Sequence, residues 1–140
     1  MCDCTRRSAI AVIAAAIAGV SGRARAAPPE HREFIAAAFK MKDEAVRLGD
    51  QAFGAVVVKE GRIIGFGPSR VVLKRDATAH AEREAIREAQ ARLGTGDLSG
   101  AVLYSSSRAC SACENAAAEA RMARMFHGTD VADAGPPRRS

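Results

Sequence analysis

The side chains best suited to do chemistry in this chain are one histidine, one glutamate and two cysteines. His80 and Glu82 are separated by one residue in "TAHAERE", and Cys110 and Cys113 by two residues in "CSAC". Two thiolates and one imidazole form a ligand set that zinc takes in catalytic sites, where a fourth position stays open for water. Zinc makes such water acidic enough to act as a nucleophile near neutral pH. Glu82 would then be a carboxylate placed to carry protons.

Each half of this set has a simpler interpretation when it is taken alone. His80 and Glu82 could be the polar face of a helix, and Cys110 with Cys113 could be a thiol–disulfide pair. A purely structural zinc site would need a fourth protein ligand, for which His127 is a candidate donor. The combination of both halves in one chain favours a zinc site, because the redox interpretation leaves His80 and Glu82 without a role.

The elements that must position these residues can be predicted from periodicity and turn residues. Small or apolar residues at three- and four-residue steps predict helices, and short apolar runs bounded by glycine predict strands. The predicted helices are His31–Leu48, Ala79–Leu93 and 111–123, with Thr78 as a candidate N-cap. The predicted strands are Val56–Val58, Arg62–Phe66, 101–105 and 124–128, and 67–79 is predicted to be a loop with an extended middle.

This order of elements predicts an α/β domain of two or three layers with parallel crossovers. His80 lies at the start of a predicted helix, and Cys110 lies where a predicted strand gives way to the next helix. Ligands gather at such transitions in α/β folds. We therefore expect the two halves of the metal site to meet at one edge of the sheet.

With "HAE" followed by "CSAC", the chain resembles the zinc-dependent cytidine and deoxycytidylate-type deaminases, whose His-x-Glu and Cys-x-x-Cys signature is well defined. The similarity extends to guanine deaminases and bacterial tRNA adenosine deaminases through "FGAVVVKEGRIIGFG", "DATAHAEREAIREAQARLGTGDLSGAVLY" and "ARMFHG". It implies a cytidine-deaminase-like three-layer αβα sandwich with a mixed sheet, here with shortened C-terminal elements. We expect the domain to occupy residues 27–130.

The resemblance also assigns roles to individual residues. His80, Cys110 and Cys113 would bind Zn²⁺, and Glu82 would be the catalytic proton shuttle in a hydrolysis that releases ammonia from an amine-bearing nucleobase or nucleoside of the guanine or cytosine type. The substrate-binding positions would be Phe53, Ser69 and Ala81. The alternatives are a tRNA adenosine-to-inosine deaminase and a non-catalytic, zinc-stabilised binding module.

Several residues depart from the family pattern. Ala109 stands where proline usually precedes the first cysteine, Arg108 stands where glutamate is usual, and Ala52 replaces the proline of "PFGA". Ser69 stands in place of an asparagine that hydrogen-bonds the base. A hydroxyl cannot supply the paired donor and acceptor of an amide, so the change at Ser69 affects recognition of the base. None of these departures removes a predicted metal ligand.

The first 26 residues are predicted to be an export signal. Arg6-Arg7 precedes an apolar run from Ala9 to Val20, and Ala24-Arg25-Ala26 resembles a cleavage site. The arginine pair is typical of a twin-arginine signal, and the apolar run is too short for a stable membrane span. We expect a periplasmic or secreted protein if the signal operates, and a cytoplasmic one otherwise.

The charge and the C-terminus complete the sequence-based predictions. Of a net charge of +5, the four arginines and one aspartate of residues 1–26 contribute +3. The small remaining charge argues against a nucleic-acid partner, and an exported protein would not meet tRNA. The expected partner is a small nucleobase or nucleoside, with a homodimer as a candidate assembly. Residues 131–140 have no core-forming pattern and are predicted to be a disordered tail.

Overall fold

The computed structural model describes residues 28–140, so the predicted export signal at 1–26 lies outside the described residues. The helices are α1 (Pro29–Arg47), α2 (Val71–Lys74), α3 (Ala81–Leu93) and α4 (Ser111–Glu119). The strands are β1 (Gly54–Lys59), β2 (Arg62–Pro68), β3 (Val102–Ser105), β4 (Arg124–His127) and β5 (Ala132–Gly135). No helix within 28–140 combines the length and apolar character needed to cross a membrane.

The five strands form one mixed sheet in the order β2-β1-β3-β4-β5. β1 is antiparallel to both β2 and β3, β3 is parallel to β4, and β4 is antiparallel to β5. Since β2 and β3 both oppose β1, they run in the same direction. The predicted parallel crossovers through α3 and α4 are therefore present, although β1 lies between β2 and β3.

The sheet is the middle layer of a three-layer αβα sandwich. Alternate residues of a strand face opposite sides of a sheet, and β1 shows this clearly. Val56 and Val58 pack with Ile35 and Ala38 of α1 on one face. On the opposite face, alternate β1 residues join a second core cluster that includes residues of α3 and α4. The predicted cytidine-deaminase-like sandwich with a mixed sheet is confirmed.

Two glycines of β2 allow α3 to lie unusually close to the sheet. A Cβ atom on Gly67 would collide with the backbone oxygen of Ala81, and one on Gly65 with that of Ala85. Ala85 and Ala89 turn their small side chains toward β2 and are fully buried. This close packing fixes the height of the α3 N-terminus, and therefore of His80, above the sheet.

The predicted loop at 67–79 contains a short helix, α2, that the sequence pattern did not indicate. Its formation depends on a distant residue, because the Asp50 carboxylate accepts hydrogen bonds from the backbone N–H groups of Val72 and Leu73 at 3.0 and 2.8 Å. Thr78, the predicted N-cap of the next helix, instead donates its hydroxyl hydrogen to Asp76. The N-cap of α3 is His80.

The predicted disorder of residues 131–140 is not what the structure shows. Residues 132–135 form β5, and Arg124 of β4 donates to both carboxylate oxygens of Asp133 at 2.8 and 2.9 Å. Beyond β5, the Ser140 backbone N–H donates to Asn115 of α4 at 2.9 Å. These contacts come from residues distant in sequence, so the local composition of the tail could not predict them.

Candidate metal centre

The two halves of the metal site meet where the fold predicts that they should. His80 is the N-cap of α3, and Cys110 is the N-cap of α4. The helices follow β2 and β3, whose carboxyl ends lie at the same edge of the sheet because the strands run in the same direction. The register pairs Gly54 with Pro68 and Ala55 with Ser105. The start of β1 therefore lies at this edge too.

The three predicted ligands have spacings that suit tetrahedral zinc. His80 Nδ1 lies 3.6 Å from Cys110 Sγ and 3.5 Å from Cys113 Sγ, and all three donor atoms lie within 4.8 Å of one another. Zinc bonds of about 2.3 Å to sulfur and about 2.0 Å to nitrogen at tetrahedral angles place the two ligand atoms about 3.6 Å apart. The residues therefore fit zinc without rearrangement.

The local environments of the two cysteines differ. Cys113 is fully buried and Cys110 is exposed. Burial raises the pKa of the Cys113 thiol well above its usual range, and the nearby Glu82 carboxylate and Cys110 add to the effect. A thiol that resists ionisation in the protein alone needs a cation to become a thiolate. This chemistry agrees with a metal ligand.

The fourth coordination position has no protein donor in the described part of the chain. His80, Cys110 and Cys113 form the one group of three or more potential ligands within residues 28–140. His127, the candidate fourth ligand of a structural site, lies outside that group, at the end of β4. Three protein ligands with an open position are typical of catalytic rather than structural zinc.

Glu82 lies in the first turn of α3 and is directed into the same cavity as His80 and Cys110. Its side chain is 6% exposed. Burial raises the pKa of the carboxyl group, opposed by hydrogen bonds from its own backbone N–H and from Cys113 and by the charge of His80. A buried carboxyl group with a raised pKa is suited to act as a general acid and base.

The cavity beside the ligands has a volume of about 140 Å³. Phe53 lies on its wall, as predicted for a substrate-binding position, and is 44% exposed. Gln51, Ser107 and Arg108 provide the other polar lining. Gln51 was missed by the sequence reasoning. The available signal was its position just before β1, at the sheet edge that carries the ligands.

The two remaining predicted substrate-binding residues do not line this cavity. Ser69 is fully buried, and its hydroxyl donates to Asp50 Oδ1 at 3.0 Å. The Ser69 hydroxyl is therefore engaged within the protein, and its predicted role in substrate binding stays a prediction. Ala81 is also fully buried, in the core cluster between α3 and the sheet, because the close approach to Gly67 leaves no space around it.

Comparison with known proteins also indicates a zinc site. Residues 28–129 match the cytidine and deoxycytidylate deaminase zinc-binding region. The chain belongs to this deaminase family. Since the family is defined by its zinc-binding region, the predicted zinc cofactor is confirmed.

Relatives within the deaminase family include two kinds of enzyme. The chain is 40% identical over 109 residues to guanine deaminase of Bacillus subtilis, covering 75% of this chain and 70% of the relative. It is 37% identical over 93 residues to a tRNA-specific adenosine deaminase of Aquifex aeolicus, covering 66% of this chain and 62% of the relative. The chain therefore spans less than two thirds of the second relative.

Solved structures of deaminases superpose on the fold. The X-ray structure of guanine deaminase from Bacillus subtilis has a TM-score of 0.68 at 39% identity, covering 70% of this chain and 63% of that protein. A structure from a study of tRNA:A34 deaminases has a TM-score of 0.67 at 35% identity, covering 69% and 70%. The deaminase family therefore includes enzymes that act on a free base and on tRNA, and this chain is similar to both.

Proposed function

We propose that this zinc deaminase releases ammonia from a small amine-bearing nucleobase or nucleoside of the guanine or cytosine type. One cavity carries the proposal. It is lined by two predicted metal ligands, His80 and Cys110, together with the buried carboxyl group of Glu82 and the aromatic ring of Phe53. In hydrolytic deamination, oxygen from water bonds to the ring carbon that carries the amine, and the bond from this carbon to nitrogen breaks to release ammonia.

The size of the cavity supports a small substrate. Sites for drug-sized ligands are about 300–1,000 Å³, whereas this cavity is about 140 Å³. That volume suits a single heterocycle in the inner part of the site, with any attached sugar outside. The exposed ring of Phe53 provides an apolar surface on which the flat base can lie.

The residues of the site have two roles in the proposed reaction, zinc binding and proton transfer. A zinc ion held by His80, Cys110 and Cys113 would supply the Lewis acidity that makes water a nucleophile near neutral pH. Glu82 takes a proton from the attacking water and delivers it to a ring nitrogen, and a second proton transfer to the amine lets ammonia leave. Burial raises the pKa of the Glu82 carboxyl group, which suits a group that accepts a proton and then donates it.

The test is an ammonia-release screen on zinc-loaded protein with guanine, cytosine, adenine and their nucleosides. We expect turnover of at least one free base or nucleoside. Zinc binding without ammonia release from any of them would contradict the small-substrate proposal and favour the non-catalytic binding module.

A tRNA adenosine substrate is the second candidate, since tRNA-specific deaminases are among the relatives. Arg108 is the one lysine or arginine among the residues that line the cavity, whereas nucleic-acid binding uses several basic contacts to phosphates. The lining therefore favours the small substrate. The screen should therefore include a tRNA with adenosine at the wobble position, and inosine formation there without free-base turnover would favour the second candidate.

We also propose that residues 1–26 direct export, on the basis of Arg6-Arg7, the apolar run and the Ala24-Arg25-Ala26 site. An exported enzyme would act in the periplasm or outside the cell. Mass measurement of the mature chain tests this proposal. A new N-terminus at Ala27 supports it, and an intact Met1 in the cytoplasm contradicts it.

A homodimer is the proposed assembly. Several large apolar side chains of the described residues, such as Val46, Val72 and Leu93, are 54%, 54% and 40% exposed and are candidates for the dimer contact. Light scattering after gel filtration distinguishes a dimer from a monomer.

A further inference from the structure

Gln51 lines the cavity that His80, Cys110 and Glu82 also line. It lies three residues before β1, is exposed, and lines the cavity together with Phe53 and His80. Within residues 28–140 its side-chain amide makes no hydrogen bond, and the engaged groups are its backbone N–H and C=O. An amide in this state can bind an incoming ligand without first breaking a bond within the protein.

We propose that Gln51 is the specificity-determining residue that reads the hydrogen-bonding edge of the substrate base. This inference rests on the proposed deamination of a small nucleobase or nucleoside. A carboxamide offers an acceptor oxygen and a donor nitrogen side by side. The Watson–Crick edges of guanine and cytosine carry a donor and an acceptor in adjacent positions, and base-modifying enzymes read a base by this edge, so one amide can pair with two atoms of the base.

The other polar residues of the cavity cannot supply this pair. Arg108 offers donors only. Ser107 has a single hydroxyl oxygen, which cannot place a donor and an acceptor on neighbouring atoms. Glu82 is needed for proton transfer. Apart from the predicted metal ligands, Gln51 is therefore the one residue lining the cavity whose side chain carries a neutral donor and an acceptor on neighbouring atoms.

The backbone of Gln51 is held on both sides, which favours a defined direction for its side chain. Its N–H donates to Asp50 Oδ1 at 2.7 Å, and its C=O accepts from the Phe53 N–H at 2.8 Å. Asp50 is fixed in turn by hydrogen bonds from Ser69, Val72 and Leu73. A side chain on a fixed backbone loses less entropy when it binds a ligand than one on a mobile loop.

The test compares Gln51→Ala and Gln51→Glu with Gln90→Ala. Gln90 is a glutamine of α3 that donates to the Gly96 carbonyl and does not line the cavity. Gln51→Glu preserves the size of the side chain but removes its donor nitrogen. We expect both Gln51 variants to raise KM for guanine or cytosine by roughly tenfold to a hundredfold, since each lost hydrogen bond costs up to about tenfold in affinity.

Changes in kcat, zinc content and melting temperature should be small in the Gln51 variants, because Gln51 is exposed and is not one of the three predicted ligands. The Gln90 variant should retain the KM of the wild type. A second readout uses the Glu82→Ala protein, which cannot turn over its ligand. Equilibrium dialysis with guanine and with cytosine should show weaker binding when Gln51→Ala is added to that background.

The outcomes separate this inference from the proposed function. If the wild type deaminates a base and the Gln51 variants retain its KM and affinity, Gln51 does not read the base and the proposed function stands. If the wild type neither binds nor deaminates any base, the proposed function fails and this inference fails with it. A loss of zinc or of the folded state in both Gln51 variants would show a structural role instead, and would also overturn the inference.

Discussion

Ser69, which is fully buried, donates its hydroxyl hydrogen to Asp50 Oδ1 at 3.0 Å. A second hydrogen bond, from the Ser69 N–H to the Phe53 carbonyl at 3.0 Å, connects the same two segments of the chain. Asp50 also accepts from Val72 and Leu73 at the start of α2. This single carboxylate therefore ties the segment before β1 to the segment after β2.

Replacing Asp50 by asparagine should lower stability in a pH-dependent way. Burial opposes ionisation of Asp50, but hydrogen bonds from Leu73, Gln51, Ser69 and Val72 together lower the pKa of its carboxyl group below the usual value of 3.8. A carboxyl group whose pKa is lower in the folded state stabilises the fold above its unfolded-state pKa and loses that effect as pH falls through the folded-state pKa.

The urea midpoint of Asp50→Asn should accordingly lie below that of the wild type at pH 7, and the gap should shrink below about pH 4. Asp43→Asn, which changes an exposed carboxylate of α1, serves as the control and should have little effect at either pH. A gap for Asp50→Asn that is the same at pH 7 and pH 3 would contradict the account.

Zinc content should depend on the three ligands and not on His127. The purified wild type should carry about one zinc per chain, whereas His80→Ala and Cys113→Ser should lose most of it, since two ligands hold zinc far more weakly than three. His127→Ala, a histidine outside the ligand group, should retain the metal. Elemental analysis by mass spectrometry measures the stoichiometry. Full retention of zinc in His80→Ala would show that the metal lies elsewhere.

Gly67→Ala should destabilise the protein because the added methyl group collides with the backbone of α3 at Ala81. Backbone cannot move aside as a flexible side chain can, so we expect a loss of about 1–3 kcal/mol or more. Gly96→Ala is the matched control, because its added Cβ would meet just one atom, 3.9 Å away. Chemical denaturation of both variants tests the close packing. Equal stability of the two would refute it.

Tyr104 should ionise at unusually high pH. It is 2% exposed, and burial, assisted by the charge of Glu30, raises the pKa of its hydroxyl group to about 12. The chain has one tyrosine and no tryptophan, so absorbance near 295 nm reports Tyr104 alone. A midpoint near pH 10 in the folded protein would contradict its burial.

The same shift affects stability at alkaline pH. Because the folded state holds the Tyr104 proton more tightly, the stabilisation is fully present below about pH 10. It is lost as pH rises toward 12. Tyr104→Phe has no proton to lose and should show a weaker decline in stability over this range. Stability curves of the two proteins that fall in parallel between pH 10 and 12 would be the contrary result.

The metal site and the main elements could be predicted from sequence because both depend on local patterns. His80 and Cys110 stand at strand-to-helix transitions that glycines and apolar periodicity reveal, and a shared sheet edge brings such transitions together. The predicted helices and the β1–β2 hairpin are present with ends shifted by a few residues. Predictions of this kind require knowledge of the element order but not of side-chain packing.

The cavity wall and the tail could not be predicted in this way. Whether Ser69 faces a substrate or Asp50 depends on a contact between residues 19 positions apart. Strand β5 depends on the pairing of Arg124 with Asp133, and α2 on the remote carboxylate of Asp50. In each case a tertiary contact decides the local structure.

The central claim is that zinc and Glu82 together make this protein a deaminase of a small nucleobase or nucleoside. The most direct measurement is the initial rate of ammonia release from guanine, cytosine and their nucleosides by the zinc-loaded wild type and by Glu82→Ala, at equal zinc content. We predict turnover of at least one of these substrates by the wild type and a rate about 10²–10⁴-fold lower in the variant, which is the usual contribution of a positioned proton carrier. Equal rates in the two proteins, or no ammonia from any of these substrates, would contradict the claim.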